Sequence, residues 1–210
     1  MTIQHKGTVK NASLRHLEYY GLQEKLNTLH EQSKNGERFQ NLMELITSKD
    51  NIMLAYRNIK SNKGSQTPSV DKQTIKDIEQ LSHDQFVSQI QKEFQHYNPR
   101  TVRRKEIPKP NGKPRPLGIP SIWDRMIQQC ILQVLEPICE AKFINDSYGF
   151  RPNRSAEHAI AKSVKHINQS KLHYVVDVDI MSFFDEVNHV KLMRQLWTLG
   201  IQDKQLLGKY

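Results

Sequence analysis

Three aspartates follow one another closely near the end of the chain, in a pattern typical of a metal-binding strand. The segment 173–185 reads His-Tyr-Val-Val-Asp-Val-Asp-Ile-Met-Ser-Phe-Phe-Asp, with carboxylates at Asp177, Asp179 and Asp185. Its β-branched residues predict a strand over 173–180. Because side chains alternate along a strand, Asp177 and Asp179 share one face, and carboxylates so placed are suited to hold Mg²⁺ against a phosphate. The alternative is an ordinary strand followed by a turn.

A second concentration of chemistry is the basic segment 100–115. It carries a net charge of +6, two-thirds of the +9 of the whole chain. Asn111-Gly112 stands between two extended, proline-punctuated runs and predicts a β-hairpin. Lysines and arginines on such a hairpin can reach phosphate oxygens, and arginine can bond two of them at once. The alternative is a solvated basic hairpin that only keeps the protein soluble. The basic residues are Arg100, Arg103, Arg104, Lys105, Lys109, Lys113 and Arg115.

A third cluster, Tyr148-Gly-Phe-Arg-Pro-Asn-Arg154, alternates aromatic and basic residues. Arg151 and Arg154 beside Tyr148 and Phe150 suit contacts with a nucleic-acid backbone and stacked bases. The alternative is an ordinary loop whose aromatic residues enter the core.

Composition limits the classes of function. The chain has 210 residues, is 37% hydrophobic and has a pI near 9.5, which favours a nucleic-acid partner over a membrane. We expect no signal peptide and no transmembrane helix, because no apolar segment of the required length occurs. Cys130 and Cys139 are expected to be core thiols. The sequence contains no phosphate-binding or dinucleotide-binding glycine motif, no nucleophile-elbow serine and no zinc-ligand spacing.

The elements that must position these residues are mostly helical. Hydrophobic spacing predicts amphipathic helices over most of the first hundred residues and over the segments that follow the hairpin. Serine, threonine, aspartate or asparagine residues at their starts predict N-caps. The first expected helices are 14–36 with a break near Gly21 and 38–60 with a restart near Ser48 or Asp50. Two short helices follow the polar loop 61–72, and Ser82 with Gln85 predicts a capping box for the second. The remaining helices are 121–141, 155–167 and one that begins at Asn188.

Taken in order, four blocks resemble bacterial group II intron reverse transcriptase/maturases. Asn62-Lys-Gly64 and Val70-Asp71 also look like the N-terminal extension motif of that family. The resemblance covers nearly the whole chain from about residue 14. The blocks are Ile107-Pro-Lys-Pro-Asn-Gly-Lys-Pro-Arg-Pro-Leu-Gly-Ile-Pro120, Asp124-Arg-Met-Ile-Gln-Gln129, Ser147-Tyr-Gly-Phe-Arg-Pro-Asn-Arg154 and Asp179-Ile-Met-Ser-Phe-Phe-Asp185.

The resemblance implies an α+β fold, namely the fingers of a right-hand polymerase with a partial palm. We expect a helical N-terminal leader and extension over 1–98, fingers over 99–170 and partial palm over 171–210. It further implies an RNA-directed DNA polymerase and maturase involved in intron splicing and mobility, located in the bacterial cytoplasm. Its partners would be group II intron RNA, with a DNA primer and dNTP in the intact enzyme.

Residue roles follow from the same resemblance. Asp179 matches the catalytic, metal-binding aspartate of the first palm motif, and the carbonyl of Ile180 helps to hold the second Mg²⁺ in that family. Phe184 matches the bulky residue that excludes a 2′-hydroxyl, and Lys109 and Arg115 match residues that grip the triphosphate. The RNA-binding residues expected from the basic clusters are Arg103, Arg104, Lys105, Arg151 and Arg154.

Two departures from the family pattern shape the expectation. The 210 residues contain no Tyr-Ala-Asp-Asp motif and no thumb or maturase domain, so the Mg²⁺ site is incomplete and we expect a truncated member that is inactive alone. Ser69-Val-Asp-Lys72 stands where the family commonly has Gly-Val-Asp-Gly. The alternatives are a non-catalytic RNA-binding module, or half of a split reverse transcriptase that a complementing C-terminal fragment completes.

Overall fold

The computed structural model describes residues 16–108, 112, 114–170 and 172–208. Within them, helices dominate and one hairpin forms a two-stranded sheet, which agrees with the expected α+β class at this coarse level. The elements before the hairpin are α1 (His16–Tyr19), α2 (Gln23–Lys34), α3 (Leu42–Ile46), α4 (Lys49–Ser61), a 3₁₀ turn (Lys63–Gln66), α5 (Ile75–Ile78) and α6 (His83–Gln95). Those from the hairpin onward are β1 (Arg103–Pro108), β2 (Pro114–Ile119), α7 (Ile122–Glu140), α8 (Ala156–Asn168), α9 (His189–Thr198) and α10 (Lys204–Leu207).

Helix α7 is the centre of the molecule. Its most apolar face is fully buried, and α2, α3 and α4 all pack against it. One hydrophobic core links Phe39 near the start of the chain with Leu206 near its end. Cys130 lies in this core and burial raises the pKa of its thiol, while Cys139 is half-buried, and both are free thiols as predicted.

The helix starts confirm the capping predictions. Ser82 and Gln85 form the predicted reciprocal capping box, and Gly21, at φ +65°, separates α1 from α2. These ends depend on residues within one turn of the chain, so sequence alone is enough to place them. The N-cap residues whose side chains accept the expected backbone hydrogen bonds include Ser48, Ser82, Ser121, Ser155 and Asn188.

The basic hairpin is confirmed as well. Its strands are antiparallel, and their register runs from Arg103 opposite Ile119 to Pro108 opposite Pro114. Gly112 lies at the turn with φ +78°, a conformation that glycine adopts without a steric penalty. Lys109, a predicted triphosphate contact, lies outside the described residues.

The predicted strand over 173–180 is wrong for this structure. Residues 172–180 have no regular secondary structure, and their apolar side chains are exposed, Tyr174 by 96% and Val176 by 84%. A strand requires a hydrogen-bonded neighbour, and among the described residues β1 and β2 pair only with each other. The β-branched residues of this segment favour a strand, but no described segment pairs with it to form a sheet.

The segment 142–199 contributes little to this core, although Leu196 packs against it. Arg151 is the one described residue in it that is buried. Beyond it the chain returns to the core, where Ile201 and Leu206 are buried. Because core residues come from both sides of positions 98 and 170, the division into three domains stays a prediction. No helix in the described ranges is long and apolar enough to cross a membrane.

Candidate nucleic-acid and nucleotide site

The register of the hairpin decides which basic residues act together. Residues directly opposite each other lie on the same face, and side chains alternate along each strand. Lys105 is opposite Leu117, and Ile107 is opposite Arg115, so Arg103, Lys105 and Arg115 share one face. We call this face the basic face. Arg104 lies on the other face.

The basic face also presents apolar surface. Ile107 is 41% exposed and Leu117 is 40% exposed, between the three cations. The buried Nε of Arg103 has no hydrogen-bond partner among the described residues. Cations interleaved with aliphatic side chains suit a ligand that has both phosphates and apolar faces, as nucleic acids do.

Asp124 fixes the base of the hairpin. Its carboxylate is buried at the start of α7 and accepts hydrogen bonds from the Ser121 hydroxyl (2.9 Å), the Tyr97 hydroxyl (3.2 Å) and the backbone N–H of Arg100 (3.2 Å). Burial, together with the neighbouring Asp124, raises the pKa of Tyr97 to about 12. The guanidinium of Arg100 also bonds Glu93 at 2.7 Å. Arg100 is therefore used to join α6 to α7 and is not part of the basic face.

The neighbouring Arg125 holds the 62–74 loop against the same base. Its guanidinium donates to the carbonyls of Gly64 (2.8 Å) and Thr67 (2.7 Å). The buried hydroxyl of Ser69 donates to the carbonyl of Ile119 at the end of the hairpin (2.6 Å). The motif Asn62-Lys-Gly64 is thereby fastened to the hairpin through Arg125 and Ser69.

The unusual residues of this loop have distinct consequences. Ser69, where the resemblance leads us to expect glycine, supplies the buried hydrogen bond to the hairpin. Lys72 adopts φ +60°, a left-handed conformation that glycine adopts at lower cost. The departure at residue 69 is therefore accommodated by a new contact, and the departure at residue 72 by backbone strain.

Arg151 has an internal role in this structure. Its Nε and Nη2 donate to the carboxylate of Glu140 (2.9 Å each), and its Nη1 donates to the carbonyls of Ile144 (2.6 Å) and Ser147 (3.0 Å). The ring of Phe143 lies 5.3 Å from the guanidinium carbon. This network ties the 141–151 loop to the end of α7. Binding of RNA by Arg151 stays a prediction, which the geometry does not favour.

Arg154 and Phe150 are more open to a ligand. The guanidinium of Arg154 lies 5.5 Å from the centre of the Tyr148 ring and donates to the carbonyl of Asn145. Phe150 is fully exposed, and both it and Asn153 have positive φ. An aromatic ring held outward on a constrained loop is available for stacking on a base.

The aspartate segment is exposed. The side chains of Asp177, Asp179 and Asp185 are open to solvent, and Phe184 is 85% exposed. A tight turn follows at Ser182, which has φ +51° and whose carbonyl accepts the N–H of Asp185 at 3.0 Å. The sequence predicts a tight turn followed by two aromatic residues. The turn is present, but Phe183 and Phe184 lie within it and not after it.

The metal chemistry of this segment is appropriate but incomplete. Carboxylate and carbonyl oxygens, such as those of Asp179 and Ile180, are the ligands that Mg²⁺ prefers. However, no group of three or more potential ligand side chains comes together within the described ranges. Binding of Mg²⁺ by Asp179 and Ile180 therefore stays a prediction.

Sequence reasoning missed the residues that support the site. The sequence predicts a helix that begins near Ser121 and Asp124, but it predicts no contacts for Arg125 or Glu140. Gly64, a partner of Arg125, lies 61 residues away in the chain. Arg151, the partner of Glu140, is 11 residues away but lies outside α7. An acid in the first turn of a helix, such as Asp124, can be recognised from the sequence. Its hydrogen bonds with Tyr97 and Arg100 cannot, because these residues lie on other segments.

The comparisons with known proteins agree with this geometry. Residues 107–210 match the family model described as "Reverse transcriptase (RNA-dependent DNA polymerase)". Protein YkfC of Escherichia coli (strain K12) is 40% identical over 168 residues, which cover 75% of this chain and 42% of that protein. Group II intron-encoded protein LtrA of Lactococcus lactis subsp. cremoris is 35% identical over 178 residues, which cover 83% of this chain and 29% of that protein.

A similarity to eukaryotic intron proteins points the same way. The putative COX1/OXI3 intron 1 protein of Saccharomyces cerevisiae is 28% identical over 74% of this chain and 18% of its own length. The chain thus spans less than half the length of each of these curated relatives. The family match includes the second hairpin strand, the central helix and the aspartate turn. Residues 107–210 therefore belong to the reverse transcriptase family, and the chain is similar to group II intron-encoded proteins over most of its length.

Proposed function

We propose that this chain supplies the fingers and the first palm motif of a group II intron RNA-directed DNA polymerase and maturase. The observation that carries the proposal is the basic face, where Arg103, Lys105 and Arg115 project together from a hairpin that is fastened to the core. We infer that this face binds the backbone of intron RNA. Arg115 would contact the triphosphate when a nucleotide is present, together with Lys109. Intron RNA in the bacterial cytoplasm is the proposed partner.

The aspartate segment would supply the remaining chemistry. Asp179 would bind Mg²⁺ with help from the carbonyl of Ile180, and Phe184 would exclude a nucleotide that carries a 2′-hydroxyl. The bound ion would stabilise the charge that develops on the transferring phosphate. These 210 residues hold the first carboxylate motif alone, so a DNA primer and dNTP are partners of a complete enzyme.

Two other functions stay open for the chain as it stands. A non-catalytic RNA-binding module is favoured by the exposed basic face, which needs no metal. A split enzyme is favoured by the exposed apolar side chains of 172–184, which a complementing C-terminal fragment would cover. Both alternatives keep the basic face as the RNA contact.

A salt series tests the proposal. The fluorescence anisotropy of a labelled RNA stem-loop is measured with the wild-type chain and with the triple variant Arg103→Ala, Lys105→Ala, Arg115→Ala. Each phosphate contact contributes roughly 0.7 to 0.9 to the slope of log affinity against log salt. The slope should therefore flatten by roughly two to three units.

Two controls separate a site from a change in net charge. The triple variant Lys25→Ala, Lys76→Ala, Lys92→Ala removes the same charge from exposed helical positions and should keep the wild-type slope. Arg104→Ala removes a cation from the opposite face of the same hairpin and should change the slope by less than about one unit. Equal slopes for the wild type and the basic-face variant would show that the hairpin is not the RNA contact.

A further inference from the structure

A second ligand-sized groove lies away from the basic face, where the end of the described chain meets its beginning. It has a volume of about 620 Å³ and lies between the start of α3 and the segment 197–205. Volumes of this order are typical of small-molecule and nucleotide sites. We call it the amide groove, because its lining is dominated by four amide side chains: Gln40, Asn41, Gln202 and Gln205.

The walls of the amide groove are fixed by long-range backbone contacts. Phe39 and Ile201 form a parallel bridge, in which the N–H of Phe39 donates to the carbonyl of Gly200 and the N–H of Gln202 donates to the carbonyl of Phe39, each at 2.8 Å. Gly200 has φ +101°, and a Cβ there would lie 2.7 Å from the carbonyl oxygen of Glu37. This close approach therefore requires glycine.

A buried carboxylate locks the same junction. Asp203 accepts the N–H of Met43 on α3 at 3.0 Å and the N–H groups of Gln205 and Leu206 on α10 at 2.8 and 3.0 Å. The side chain of Asp203 is nearly inaccessible to solvent. The backbone that carries the amides on both walls is thus fixed, which lowers the ordering cost of binding to that of the side chains.

The amides themselves are available. No side-chain hydrogen bond joins Gln40, Asn41 or Gln202 to another described residue. Asn41 precedes α3 but makes no capping bond with its side chain. An amide offers two donors and one acceptor with two lone pairs. Unpaired amides on a rigid frame match the donor and acceptor edges of a nucleobase, as asparagine and glutamine do with adenine.

An aromatic platform and nearby cations complete the arrangement. Trp197 lines the groove and is 41% exposed, so its indole is open to a flat ligand. Lys204 lines the groove as well. Arg194 lies three residues before Trp197 on α9, a spacing that places the two side chains on the same face of the helix. Glu44 is the one carboxylate besides the buried Asp203. It is placed to accept from an exocyclic amino group but would repel phosphate.

A smaller groove continues from this one. It has a volume of about 360 Å³ and shares Met43, Glu44 and Gln205 with the amide groove. Two more amides, Gln91 and Gln95, line it. Because the two grooves share three lining residues, they are adjacent, which favours a single-stranded nucleic acid over a free nucleotide.

From these observations we propose that the amide groove binds unpaired nucleobases of a single-stranded nucleic acid, with one base stacked on Trp197. The proposal rests on the proposed function only in that RNA is the expected strand. It places a second contact in a groove that shares no lining residue with the hairpin. A strand bound there is read through its bases, whereas the basic face contacts backbone.

Tryptophan fluorescence provides a direct test, because the chain has two tryptophans. In the variant Trp123→Phe, Trp197 is the sole indole. This protein is titrated with oligoadenylate of about six nucleotides, a length within the site sizes of single-strand binders, and with an abasic ribose-phosphate oligomer of equal length. Oligoadenylate should quench Trp197 with saturation, and the abasic oligomer should bind at least about tenfold more weakly.

Matched protein variants and a second oligonucleotide make each outcome of the titration decisive. Adding Gln202→Ala and Gln205→Ala should weaken oligoadenylate binding about tenfold while the indole remains, and Trp197→Phe should lose the quenching. Oligodeoxyadenylate of the same length identifies the strand: equal quenching assigns the groove to the bases of either strand, and weaker quenching assigns it to RNA. Equal affinity for the abasic oligomer would overturn the proposal. So would the absence of any quenching, which is the result expected if the groove binds a protein.

The two proposals fail separately. The lysine variant Lys25→Ala, Lys76→Ala, Lys92→Ala, built on Trp123→Phe, should leave quenching of Trp197 unchanged, because none of these residues lines the groove. A failed hairpin proposal would appear in the salt slope with a stem-loop. A failed groove proposal would appear in the fluorescence titration with the single strand.

Discussion

At the scale of single residues, Arg151 and Arg154 show how the same residue type can have different roles within one motif. Both follow aromatic residues in a block that predicts RNA contacts. Arg151 is nevertheless buried with its guanidinium bonded to Glu140, whereas Arg154 is more exposed beside Tyr148. Residue type and spacing do not separate the two, because the partner of Arg151 lies on a different element.

The Arg151–Glu140 pair leads to a prediction on stability. Arg151→Ala removes the side-chain bonds to Glu140 and to the carbonyls of Ile144 and Ser147. The melting temperature should therefore fall by several degrees, whereas Arg154→Ala should lower it by less than about one degree. Arg151→Lys keeps the charge but loses the guanidinium that bonds several acceptors at once, so its melting temperature should lie between those of the two alanine variants. Thermal unfolding followed by circular dichroism measures this. Equal effects of Arg151→Ala and Arg154→Ala would contradict the internal role.

The same pair predicts how this stability depends on pH. Hydrogen bonds from Arg151 lower the pKa of Glu140 from its ordinary value, against the opposing effect of burial. A carboxyl whose pKa is lower in the folded state stabilises the fold above its unfolded value of about 4.3 and loses this contribution as pH falls through the folded pKa. The difference in stability between the wild type and Glu140→Gln should therefore shrink on acidification below about pH 4.

At the scale of elements, the sequence was sufficient where the determinants are local. Ser82 with Gln85, Ser121 and Asn188 each begin a helix as predicted, and Asn111-Gly112 marks the hairpin. The strand over 173–180 was not observed, because pairing depends on a neighbour. The Phe39–Ile201 bridge and the amide groove were missed because they join positions that are far apart in the chain.

Hydrogen exchange tests this contrast between neighbouring elements. Backbone amides of 173–180 donate no helical or strand hydrogen bonds and should exchange rapidly. The N–H groups of Phe39, Gln202 and Leu206 donate long-range or capping hydrogen bonds and should exchange far more slowly. Helix α7 provides the protected reference within the same sample. Protection of 173–180 equal to that of α7, in a chain shown to be monomeric, would contradict the exposed state of this segment.

At the scale of the whole molecule, one core joins the N-terminal helices, α7 and the residues after 200, and it holds the ligand-facing parts at its edges. The basic face projects from α7 through the Asp124 junction, and the aspartate turn projects on the segment 142–199. The core residues come from both sides of the segment that carries Asp179, whose apolar side chains, such as Val178 and Ile180, are exposed. The aspartate turn is thus separated from the well-packed core.

That separation predicts the activity of a protein made of these 210 residues alone. With an RNA template, a DNA primer, Mg²⁺ and dNTPs, we expect no primer extension above background. Two-metal phosphoryl transfer needs several carboxylates around the two ions, and no group of three or more potential ligand side chains comes together among the described residues. Asp179→Asn is the matched control, since it removes the proposed metal ligand and keeps the size of the side chain. Template-dependent extension that Asp179→Asn abolishes would contradict the expectation. Extension that begins only when a second polypeptide containing a Tyr-Ala-Asp-Asp segment is added, and that also requires Asp179, would establish the split-enzyme alternative.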